Sequence, residues 1–502
     1  MKILWIDDEI DLLKPFIYLL EQEGYEVKTA TSGEDGVKLA HKEVFDLIFL
    51  DEIMPGVDGL EVLRKIKSEN FQQLVVMVTK SEEKSLMSQA YGGWVDDYIT
   101  KPFSFNQVLS VLNRTLKRRV IIEEKMAEDY ATQFRSLVTP SDFNEWVDHY
   151  KNIVSWDVRM LEFGSKDIKS MHEEKKREAN IGFAKYIQNE YCNFIRGKGP
   201  TLSHTLFSQT LLPLLKEGPI RFIIFDSMRL DQYFKLLPFF RDYFEINTQY
   251  YCSILPTATP YSRNALFSGL LPLEILQNYP QYWIFDEKMQ NRFEKELFQE
   301  WLTRHNLRLN FSFYKLSSID EIKSNVKRMI EDTADISIVI INFFDLLLHS
   351  IPGRGDMKGI LDDERVLLNL LGYWFPSSPI FDFFKGYAKK GARVTLTTDH
   401  GFIRVRRPSI IYGGREISPN LRYKYGPAIR VDKKTAHLLN NPGEFYLPTD
   451  DPSVRFAIAK EDYYFIYPTK PTQYEQQYKF TFQHGGISME EMILPFVHMM
   501  SR

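Results

Sequence analysis

The 502-residue sequence has little cysteine, no long apolar run and almost no net charge. Its two cysteines, Cys192 and Cys252, stand far apart, which argues against a disulfide framework and favours a reducing compartment. The longest apolar run, Asp335 to Phe344, is much shorter than the roughly 20 residues that a membrane span requires. The N-terminus carries no signal-peptide pattern. We therefore expect a cytoplasmic protein without a membrane span.

The balance of charge argues against broad binding to nucleic acid. Lysine and arginine total 63 against 67 aspartates and glutamates, and the net charge is −4. A chain without a basic excess is not drawn strongly to nucleic acid or to anionic membranes. In addition, no helix-turn-helix pattern with a basic recognition helix follows the first predicted domain. We expect no direct sequence-specific DNA binding, which disfavours a transcription factor.

Composition and patterning predict three parts. One core rarely grows beyond about 250–300 residues, so a chain of this length needs two or three domains. Short apolar strands alternate with helical patterns in 1–118, which predicts a doubly wound (βα)5 domain of the α/β class. Residues 119–200 lack strand signals and predict a helical bundle, with Thr139 as an N-cap. Strands return in 201–502 and predict a second α/β domain.

Three aspartates are expected to meet at one edge of the N-terminal sheet. Asp7 and Asp8 follow the first predicted strand, KILWI, and Asp51 ends the third, DLIFL. Their mutual repulsion favours a divalent cation, and hard oxygen ligands with spare water positions suit Mg²⁺. A carboxylate beside Mg²⁺ can accept a phosphoryl group. Thr79, which ends the fourth predicted strand, can hydrogen-bond a phosphoryl oxygen, and Lys101, which precedes Pro102, can pair with the phosphoryl charge.

These residues, with the segments DEIMPGVDG, VTKS and DDYITKPF, resemble the response-regulator receiver family over residues 1 to about 118. The resemblance implies a partner sensor histidine kinase, a phosphoacceptor and a bound Mg²⁺. The phosphoacceptor would be Asp51. The Mg²⁺ ligands would be Asp7, Asp8 and Asp51, and the switch residues would be Thr79, Tyr98 and Lys101.

Phosphorylation of Asp51 is expected to change the surface of this domain. Thr79 would move inward and Tyr98 would be repositioned, which would remodel the face around Glu82 to Arg118. Receivers of this kind often dimerise through that face, so we expect a homodimer on phosphorylation. Lys80 follows the switch threonine where the family usually has alanine or glycine, and this leaves the lifetime of the phosphate open.

Acidic residues also follow the strands predicted in the C-terminal part. The runs RFIIFD, ISIVIINFFD and RVTLTTDHG place aspartates at the carboxyl ends of strands, where open α/β sheets bind ligands. These aspartates are Asp226, Asp345 and Asp399. Three histidines accompany them: His349, which lies four residues after Asp345, then His400 and His484. Mixed carboxylate and imidazole ligands suit zinc, with manganese as the alternative.

The segment SILPTATPYSRNALFSG contains the candidate nucleophile. Thr259 stands just before a predicted helix, ten residues ahead of Gly269. A helix N-terminus favours an attacking alkoxide and the negative charge of a phosphoryl group. Coordination to a metal ion lowers the pKa of such a hydroxyl toward neutrality. Thr257, two residues earlier, is the alternative nucleophile.

Residues from about 219 to 502 resemble the alkaline phosphatase superfamily, in its PglZ-type branch. The matching stretches are FDSMRLDQ, LPTATPYSRNALFSGLLP, FFDLLLH, TTDHGF and FQHGGISMEEMILPFV. The resemblance implies two zinc ions and a covalent nucleophile at Thr259. The ligands of one ion would be Asp226, Thr259, Asp399 and His400. The ligands of the other would be Asp345, His349 and His484.

The expected activity is that of a metal-dependent phosphodiesterase acting on nucleotide-type substrates. Sulfatases of the same superfamily carry a Cys-x-Pro-x-Arg segment, and the residues after Cys252 lack it. Monoester specialists usually add cationic groups for the extra phosphate charge. Arg229 and Arg263 are the candidates for such groups.

The order of receiver, helical middle and PglZ-type domain resembles the response regulators of the type IX secretion system. That resemblance implies a PorY-like sensor kinase, a PorL-like secretion motor protein and an extracytoplasmic-function sigma factor as partners. It implies cyclic or linear oligonucleotides as substrates. The alternative is a non-catalytic metal-binding adaptor that contacts the sigma factor or the motor protein. We favour the enzyme, because a scaffold does not require a nucleophile among its metal ligands.

Overall fold

The computed structural model describes residues 1–70, 73–80, 94–135, 139–161, 166–285, 289–343, 364–413, 418–449 and 451–502. They form two compact units. The first comprises Met1–Leu137 and Arg159–Lys169, and the second comprises Val138–Val158 and Ser170–Arg502. The predicted domain boundaries at 118 and 200 stay predictions. Among the described residues, no helix is both long enough and apolar enough to cross a bilayer.

Each apolar run predicted in the first segment forms a strand of one parallel sheet. The sheet order is β2-β1-β3-β4-β5. Its strands are β1 (Lys2–Ile6), β2 (Glu26–Ala30), β3 (Leu47–Asp51), β4 (Val75–Thr79) and β5 (Asp97–Thr100). The central strands are buried on both faces, as near-continuous apolar sequence predicts for a parallel sheet covered by helices.

Helices cover the two faces of this sheet. They are α1 (Ile10–Gln22), α2 (Gly33–Lys42), α3 (Gly59–Glu69) and α4 (Phe105–Arg135). One face packs a core around Trp5 and Phe49, whose rings stack with centroids 4.6 Å apart. The other face packs a core that includes Leu50 and Leu63. The predicted doubly wound receiver fold is confirmed.

The middle of the chain is helical, as predicted. It contains α5 (Phe143–Arg159) and α6 (Lys166–Ile195). The expected cap at Thr139 is wrong, because α5 begins at Phe143 and the Asp142 carboxylate accepts a hydrogen bond from the backbone N–H of Glu145 at 2.9 Å. An aspartate just before the first helical turn satisfies the free N–H groups there. Trp146 of α5 packs edge-on against Phe183 of α6, with ring centroids 5.4 Å apart.

The C-terminal part is built on a mixed sheet whose central strands are largely buried. Its strands are β6 (Ile220–Phe225), β7 (Phe244–Cys252), β8 (Phe311–Leu316), β9 (Ile336–Ile341), β10 (Arg393–Thr397) and β19 (Ile493–Ser501). Among the central strands, β9 is buried throughout, and β6 and β10 are buried except at Arg221 and Arg393. Their order is β7-β19-β10-β6-β9-β8, in which β19 runs antiparallel to β10 and to β7. The neighbours β10, β6 and β9 are parallel. Their carboxyl ends therefore lie along one edge.

Helices pack around this sheet and complete the predicted α/β domain. The longer ones are α8 (Leu230–Arg241), α9 (Thr259–Ser268), α11 (Glu294–Arg304), α12 (Ile319–Ile330), α13 (Glu364–Trp374) and α14 (Pro379–Lys389). The shorter ones are α7 (Leu212–Leu215), α10 (Pro272–Asn278), α15 (Pro471–Tyr478) and α16 (Met489–Met492). Gly269 ends α9 in a left-handed conformation (φ 64°), where a Cβ would collide with Trp301.

Shorter strands form smaller sheets beside the main one. They are β11 (Ile403–Arg404), β12 (Arg407–Tyr412), β13 (Tyr423–Pro427), β14 (Arg430–Val431), β15 (Ala436–Leu439), β16 (Val454–Ala459), β17 (Tyr463–Ile466) and β18 (Phe482–Gln483). The antiparallel pairing of β11 with β18 has a direct consequence for the site. It brings the segment after His400 alongside the segment before His484.

Candidate phosphoacceptor and metal sites

Three carboxylates converge at the carboxyl edge of the N-terminal sheet. Asp7 follows β1 and Asp51 ends β3, which are parallel neighbours. One oxygen from each of Asp7, Asp8 and Asp51 lies within 4.8 Å of the others. Asp7 and Asp51 are buried, whereas Asp8 is exposed. An oxygen set that is partly open to water suits a hard divalent cation.

Lys101 bridges the two buried carboxylates of this cluster. Its ammonium Nζ lies 2.9 Å from Oδ2 of Asp7 and 3.0 Å from Oδ2 of Asp51. Burial alone would lower the pKa of Lys101, but the hydrogen bonds to Asp7 and Asp51 outweigh burial and the pKa is raised. Burial raises the pKa of Asp51, a shift that Lys101 opposes. Lys101 is therefore a permanent cation beside the predicted phosphoacceptor.

The two predicted switch residues sit near this cluster. Thr79 ends β4 and is buried, and its hydroxyl donates a hydrogen bond to the carboxylate of Glu52, the residue after Asp51. Tyr98 lies in β5, half-buried against the core that contains Met77, and burial raises its pKa. Lys80, the residue that follows β4, is exposed. Of the face predicted to remodel, 81–93 lie outside the described residues.

A second acidic cluster lies at the carboxyl edge of the C-terminal sheet. Asp226 directly follows β6, and Asp399 lies two residues beyond the end of β10, its parallel neighbour. Ligand atoms of Asp226, Asp399 and His400 lie within 4.8 Å of one another. Asp399 and His400 are fully buried, and Asp226 is partly exposed. Asp345 and His349, predicted beyond the next strand β9, lie outside the described residues.

Arg263 holds the two aspartates of this cluster in place. Its Nη2 lies 2.5 Å from Oδ2 of Asp226, and its Nε donates a hydrogen bond to Oδ2 of Asp399 at 3.0 Å. Burial alone would raise the pKa of Asp226, but the charge of Arg263 outweighs burial and lowers it to about 2. Asp226 is thereby kept as a carboxylate, the form that binds metal ions.

His400 is held in one orientation with its Nε2 lone pair directed into the cluster. Its Nδ1 lies 2.9 Å from the carbonyl oxygen of Gly401. Because a carbonyl only accepts, Nδ1 carries a proton, and in the neutral ring, the form that binds metal ions, Nε2 then carries none. Nε2 lies 2.9 Å from Oγ1 of Thr259, so the threonine hydroxyl is the donor in this contact. Thr259 is the first residue of α9, as the predicted nucleophile position requires.

His484 adds a second imidazole beside the first. Its ring stacks on that of His400, with centroids 4.3 Å apart and planes inclined by 16°. Its Nδ1 lies 3.3 Å from the carbonyl oxygen of Thr257, which leaves Nε2 unprotonated. Part of the ring reaches solvent, yet the surrounding protein and the adjacent His400 lower its pKa. The neutral ring keeps a lone pair for a ligand.

Thr257 has a different environment from Thr259. It is fully buried, its hydroxyl donates to the carbonyl oxygen of Gly486 at 2.8 Å, and it accepts from the N–H of Gly485 at 3.2 Å. Both hydrogen bonds hold the loop that carries His484. The structure thus gives Thr257 a supporting contact and directs the hydroxyl of Thr259 into the metal-ligand cluster.

The residues present fit metal binding at the C-terminal site. Carboxylates of Asp226 and Asp399, an unprotonated imidazole nitrogen of His400 and the hydroxyl of Thr259 converge there. Mixed oxygen and nitrogen donors of this kind suit zinc. The sequence indicated Arg263 as a candidate phosphate-binding group and missed its pairing with Asp226 and Asp399. Its spacing of four residues from Thr259 on one helix was the signal that could have indicated it.

Family comparisons cover most of the chain. Residues 3–113 match the response regulator receiver domain, and residues 120–195 match the PorX response regulator linker domain. Residues 206–499, more than half of the 502, match the BREX system PglZ alkaline phosphatase-like domain. The chain belongs to the PglZ family. Its receiver, linker and PglZ domain match the PorX receiver-plus-PglZ architecture, which confirms the resemblance found in the sequence.

Curated relatives of this PglZ-family chain match a shorter segment. The chain is 33% identical over 152 residues to the alkaline phosphatase synthesis transcriptional regulatory protein PhoP of Bacillus subtilis, and the match covers 30% of this chain and 62% of that protein. It is 35% identical over 117 residues to the transcriptional regulatory protein ResD of the same organism, covering 23% and 48%. The match therefore spans less than two thirds of either relative.

Solved structures of receiver domains are also similar to the chain. The CheY-like receiver domain protein of Methanospirillum hungatei is 31% identical, with a TM-score of 0.22, over 23% of this chain and 94% of that one. The response regulator TrrA of Thermotoga maritima, in complex with Mg²⁺ and BeF, is 29% identical, with a TM-score of 0.21, over 23% and 98%. The family matches imply a cognate histidine kinase and dependence on metal ions.

Proposed function

We propose that the protein is a response regulator, phosphorylated on Asp51, whose output domain is a zinc-dependent phosphodiesterase. Its substrates would be nucleotide-type phosphodiesters, cyclic or linear oligonucleotides, and it would regulate type IX secretion. The observation that carries this proposal is the hydroxyl of Thr259, which donates to His400 among the carboxylates of Asp226 and Asp399. A pure metal-binding adaptor has no need of a hydroxyl directed at its metal ligands.

Two zinc ions are proposed for this site. Asp226, Thr259, Asp399 and His400 would hold one, and the described geometry of these four residues supports that assignment. The other would be held by His484 together with Asp345 and His349, of which only His484 lies within the described residues. Zinc, when bound, supplies Lewis-acid polarisation of the phosphoryl group and of the attacking hydroxyl.

The chain's own residues then provide the nucleophile and its orientation. Thr259 Oγ would attack phosphorus and release its hydroxyl proton to water, the bond from phosphorus to the leaving oxygen would break, and the leaving oxygen would take up a proton from water. Water next hydrolyses the phosphothreonine and restores the free hydroxyl. The position of Thr259 at the start of α9 places the positive end of the helix dipole beside the phosphoryl charge. Arg263 keeps the side chains of Asp226 and Asp399 oriented through its contacts with both.

The two nearby arginines are already paired with carboxylates of the protein, which supports a diester rather than a monoester substrate. Arg229 donates to Asp231 at 2.9 Å and to Glu364 at 3.2 Å. Arg263 is paired with Asp226 and Asp399. These two predicted phosphate clamps are therefore occupied by internal ion pairs. A diester carries one negative charge fewer than a monoester dianion and has less need of further cations.

The receiver is proposed to control this output in the cytoplasm. A PorY-like histidine kinase would transfer a phosphoryl group to Asp51, with Mg²⁺ held by Asp7, Asp8 and Asp51. Lys101, whose Nζ lies 3.0 Å from Asp51, would pair with that phosphoryl group. Thr79 and Tyr98 would change position and promote homodimerisation. A PorL-like motor protein and an extracytoplasmic-function sigma factor are the proposed downstream partners.

Turnover by the purified full-length protein tests the enzymatic proposal. Zinc is measured by elemental analysis, and hydrolysis of bis(p-nitrophenyl) phosphate is compared with that of p-nitrophenyl phosphate. We expect two zinc equivalents and a kcat/KM for the diester at least about tenfold above that for the monoester, a difference of about 1.4 kcal/mol in transition-state stabilisation. Protein that holds two zinc ions and hydrolyses neither these esters nor oligonucleotides would contradict the proposal and favour the adaptor.

A further inference from the structure

Charged side chains form a largely buried network between the middle helices and the C-terminal sheet. Asp231, Glu490 and Arg229 are at most 3% exposed. The network also contains two residues of the middle helices, Asp157 of α5 and Lys176 of α6, and Glu364 at the start of α13. Buried charges are costly unless each has a partner in a fixed place, so such a network restrains the elements that carry it.

Lys176 is the cation that three carboxylates of this network share. Its Nζ lies 3.2 Å from Asp157, 3.6 Å from Glu364 and 3.7 Å from Glu490. Burial alone would lower the pKa of Lys176, but the charges of these three carboxylates outweigh burial and raise it. The same attraction outweighs burial at Asp157 and lowers its pKa. Attraction between the two therefore favours the charged forms of Lys176 and Asp157, and displacement of Lys176 would leave its carboxyl partners without their shared cation.

One branch of the network leads to the loop that carries His400. Glu490 accepts a hydrogen bond from Nδ2 of Asn180 on α6 at 3.0 Å, and Oδ1 of Asn180 accepts from the N–H of Met489 at 2.9 Å. The backbone carbonyl of Glu490 lies so close to Gly401 that a Cβ there would approach it to 1.9 Å. Gly401 follows His400 and accepts the hydrogen bond of its Nδ1. The position of α16 therefore sets that of the His400 ring.

A second branch leads to the loop that carries Asp226. Glu364 pairs with Lys176 at 3.6 Å and accepts from Nη1 of Arg229 at 3.2 Å. Arg229 lies three residues after Asp226, and its guanidinium stacks over Phe402, two residues after His400. Lys176 is thus linked through one carboxylate to each of two loops that supply predicted metal ligands.

We propose that Lys176 is a positioning residue that couples the middle helices to the metal-binding loops. A change in the placement of α6 would alter the orientation of His400 and Asp226 through Glu490 and Glu364. This inference rests on the proposed hydrolytic function for its kinetic consequence. Its structural consequence, the restraint of the loop around Gly401, can be measured in protein that contains no metal.

The test compares Lys176→Met with Lys176→Arg in the full-length protein. With Lys176→Met we expect kcat for a chromogenic diester to fall at least about tenfold while KM stays within about twofold. In the metal-free protein, backbone hydrogen exchange in the segment from Asp399 to Arg404 should become faster. Lys176→Arg, which keeps the charge, should restore most of both properties. If Lys176→Met fails to fold, Asn180→Ser provides the same two measurements on the Glu490 branch.

Two controls separate positioning from general weakening of the helix. Ile187→Ala removes a fully buried apolar side chain of α6, and Glu173→Gln removes the exposed ion pair of α6 with Arg406. Assayed below their unfolding temperatures, both should keep the kcat and the exchange rate of the unmodified protein. Lys176→Met with unchanged kcat and exchange would overturn the proposal. Absence of turnover in the unmodified protein contradicts the proposed function instead, and the exchange measurement still decides the role of Lys176.

Discussion

Oγ1 of Thr259 lies 2.9 Å from Nε2 of His400, and the threonine hydroxyl is the donor. The direction follows from the other ring nitrogen, because Nδ1 must give its proton to the carbonyl of Gly401. The predicted nucleophile and a predicted metal ligand thus point at the same place, which Asp226 and Asp399 also border. Expectations for the site follow from this geometry and from the ion pairs that support it.

Arg263→Met should destabilise the zinc-free protein and increase its stabilisation by zinc. The substitution leaves the carboxylates of Asp226 and Asp399 without their shared cation, and loss of one partner of a buried pair typically costs roughly 3–5 kcal/mol. A zinc ion can replace that charge. Without zinc, the unfolding temperature of Arg263→Met should be lower than that of the unmodified protein. On addition of zinc, its unfolding temperature should rise by more than that of the unmodified protein.

Arg422→Met provides the matched control for this measurement. Arg422 is fully buried and paired with Glu491, which is not a predicted zinc ligand. The substitution should also lower the unfolding temperature, while the zinc-induced rise stays that of the unmodified protein. An equal zinc-induced rise in the unmodified protein, Arg263→Met and Arg422→Met would show that Arg263 does not act at the metal site.

Glu364 should make stability depend on pH in acid. Burial alone would raise the pKa of Glu364, but Arg229 and Lys176 outweigh burial and lower it to about 2. A carboxyl group with a lowered pKa stabilises the fold fully above the pKa of the unfolded chain, about 4.3. That contribution is lost as the pH falls from there toward 2. The unfolding temperatures of the unmodified protein and Glu364→Gln should therefore differ most near pH 6 and converge toward pH 2.5.

Asp382→Asn is the reference for the acid titration, since Asp382 is an exposed residue on another helix. Its unfolding temperature should differ little from that of the unmodified protein across the same pH range. If the gap between Glu364→Gln and the unmodified protein stays constant from pH 6 to pH 2.5, Glu364 is not stabilised as a carboxylate by its two cations.

Beryllofluoride with Mg²⁺ should convert the protein to a dimer. The mimic requires the carboxylate of Asp51, and Lys101 is placed 3.0 Å from that carboxylate to pair with the added charge. Light scattering should show a doubled mass on addition of beryllofluoride. Asp51→Asn should remain at its starting mass, whereas Asp46→Asn, at the residue just before the same strand, should respond normally. An unchanged mass in the unmodified protein would refute dimerisation as the response to phosphorylation.

Sequence pattern predicted those features that depend on local order along the chain. Asp51, Asp226 and Asp399 follow buried apolar runs, and parallel strands bring the ends of such runs to one edge. The choice between Thr257 and Thr259 could not be made in this way, because it depends on a hydrogen bond from the N–H of Gly485 and one to the carbonyl of Gly486, more than 200 positions away. The network around Lys176 was likewise invisible, since its partners come together only through packing.

The prediction of Thr139 as the N-cap of α5 was wrong for a different reason. Thr139 followed by proline is a common start of a helix, and the same segment offered Asp142 three residues later. With Thr139 as the cap, Asp142 would fall in the first turn. The buried aromatic face of α5 instead starts at Phe143, which leaves Asp142 in the capping position.

Phosphodiester hydrolysis by Thr259→Val, compared with Thr257→Val at equal zinc content, decides whether Thr259 is the nucleophile. Valine keeps the shape of the side chain and removes only the hydroxyl, and Thr259 is the hydroxyl directed at His400. Loss of a nucleophile should lower kcat for a phosphodiester by about a thousandfold or more. Thr257→Val, which loses contacts to Gly485 and Gly486, should keep a larger share of activity. If zinc-loaded Thr259→Val hydrolyses diesters at the rate of the unmodified protein, Thr259 is not the nucleophile.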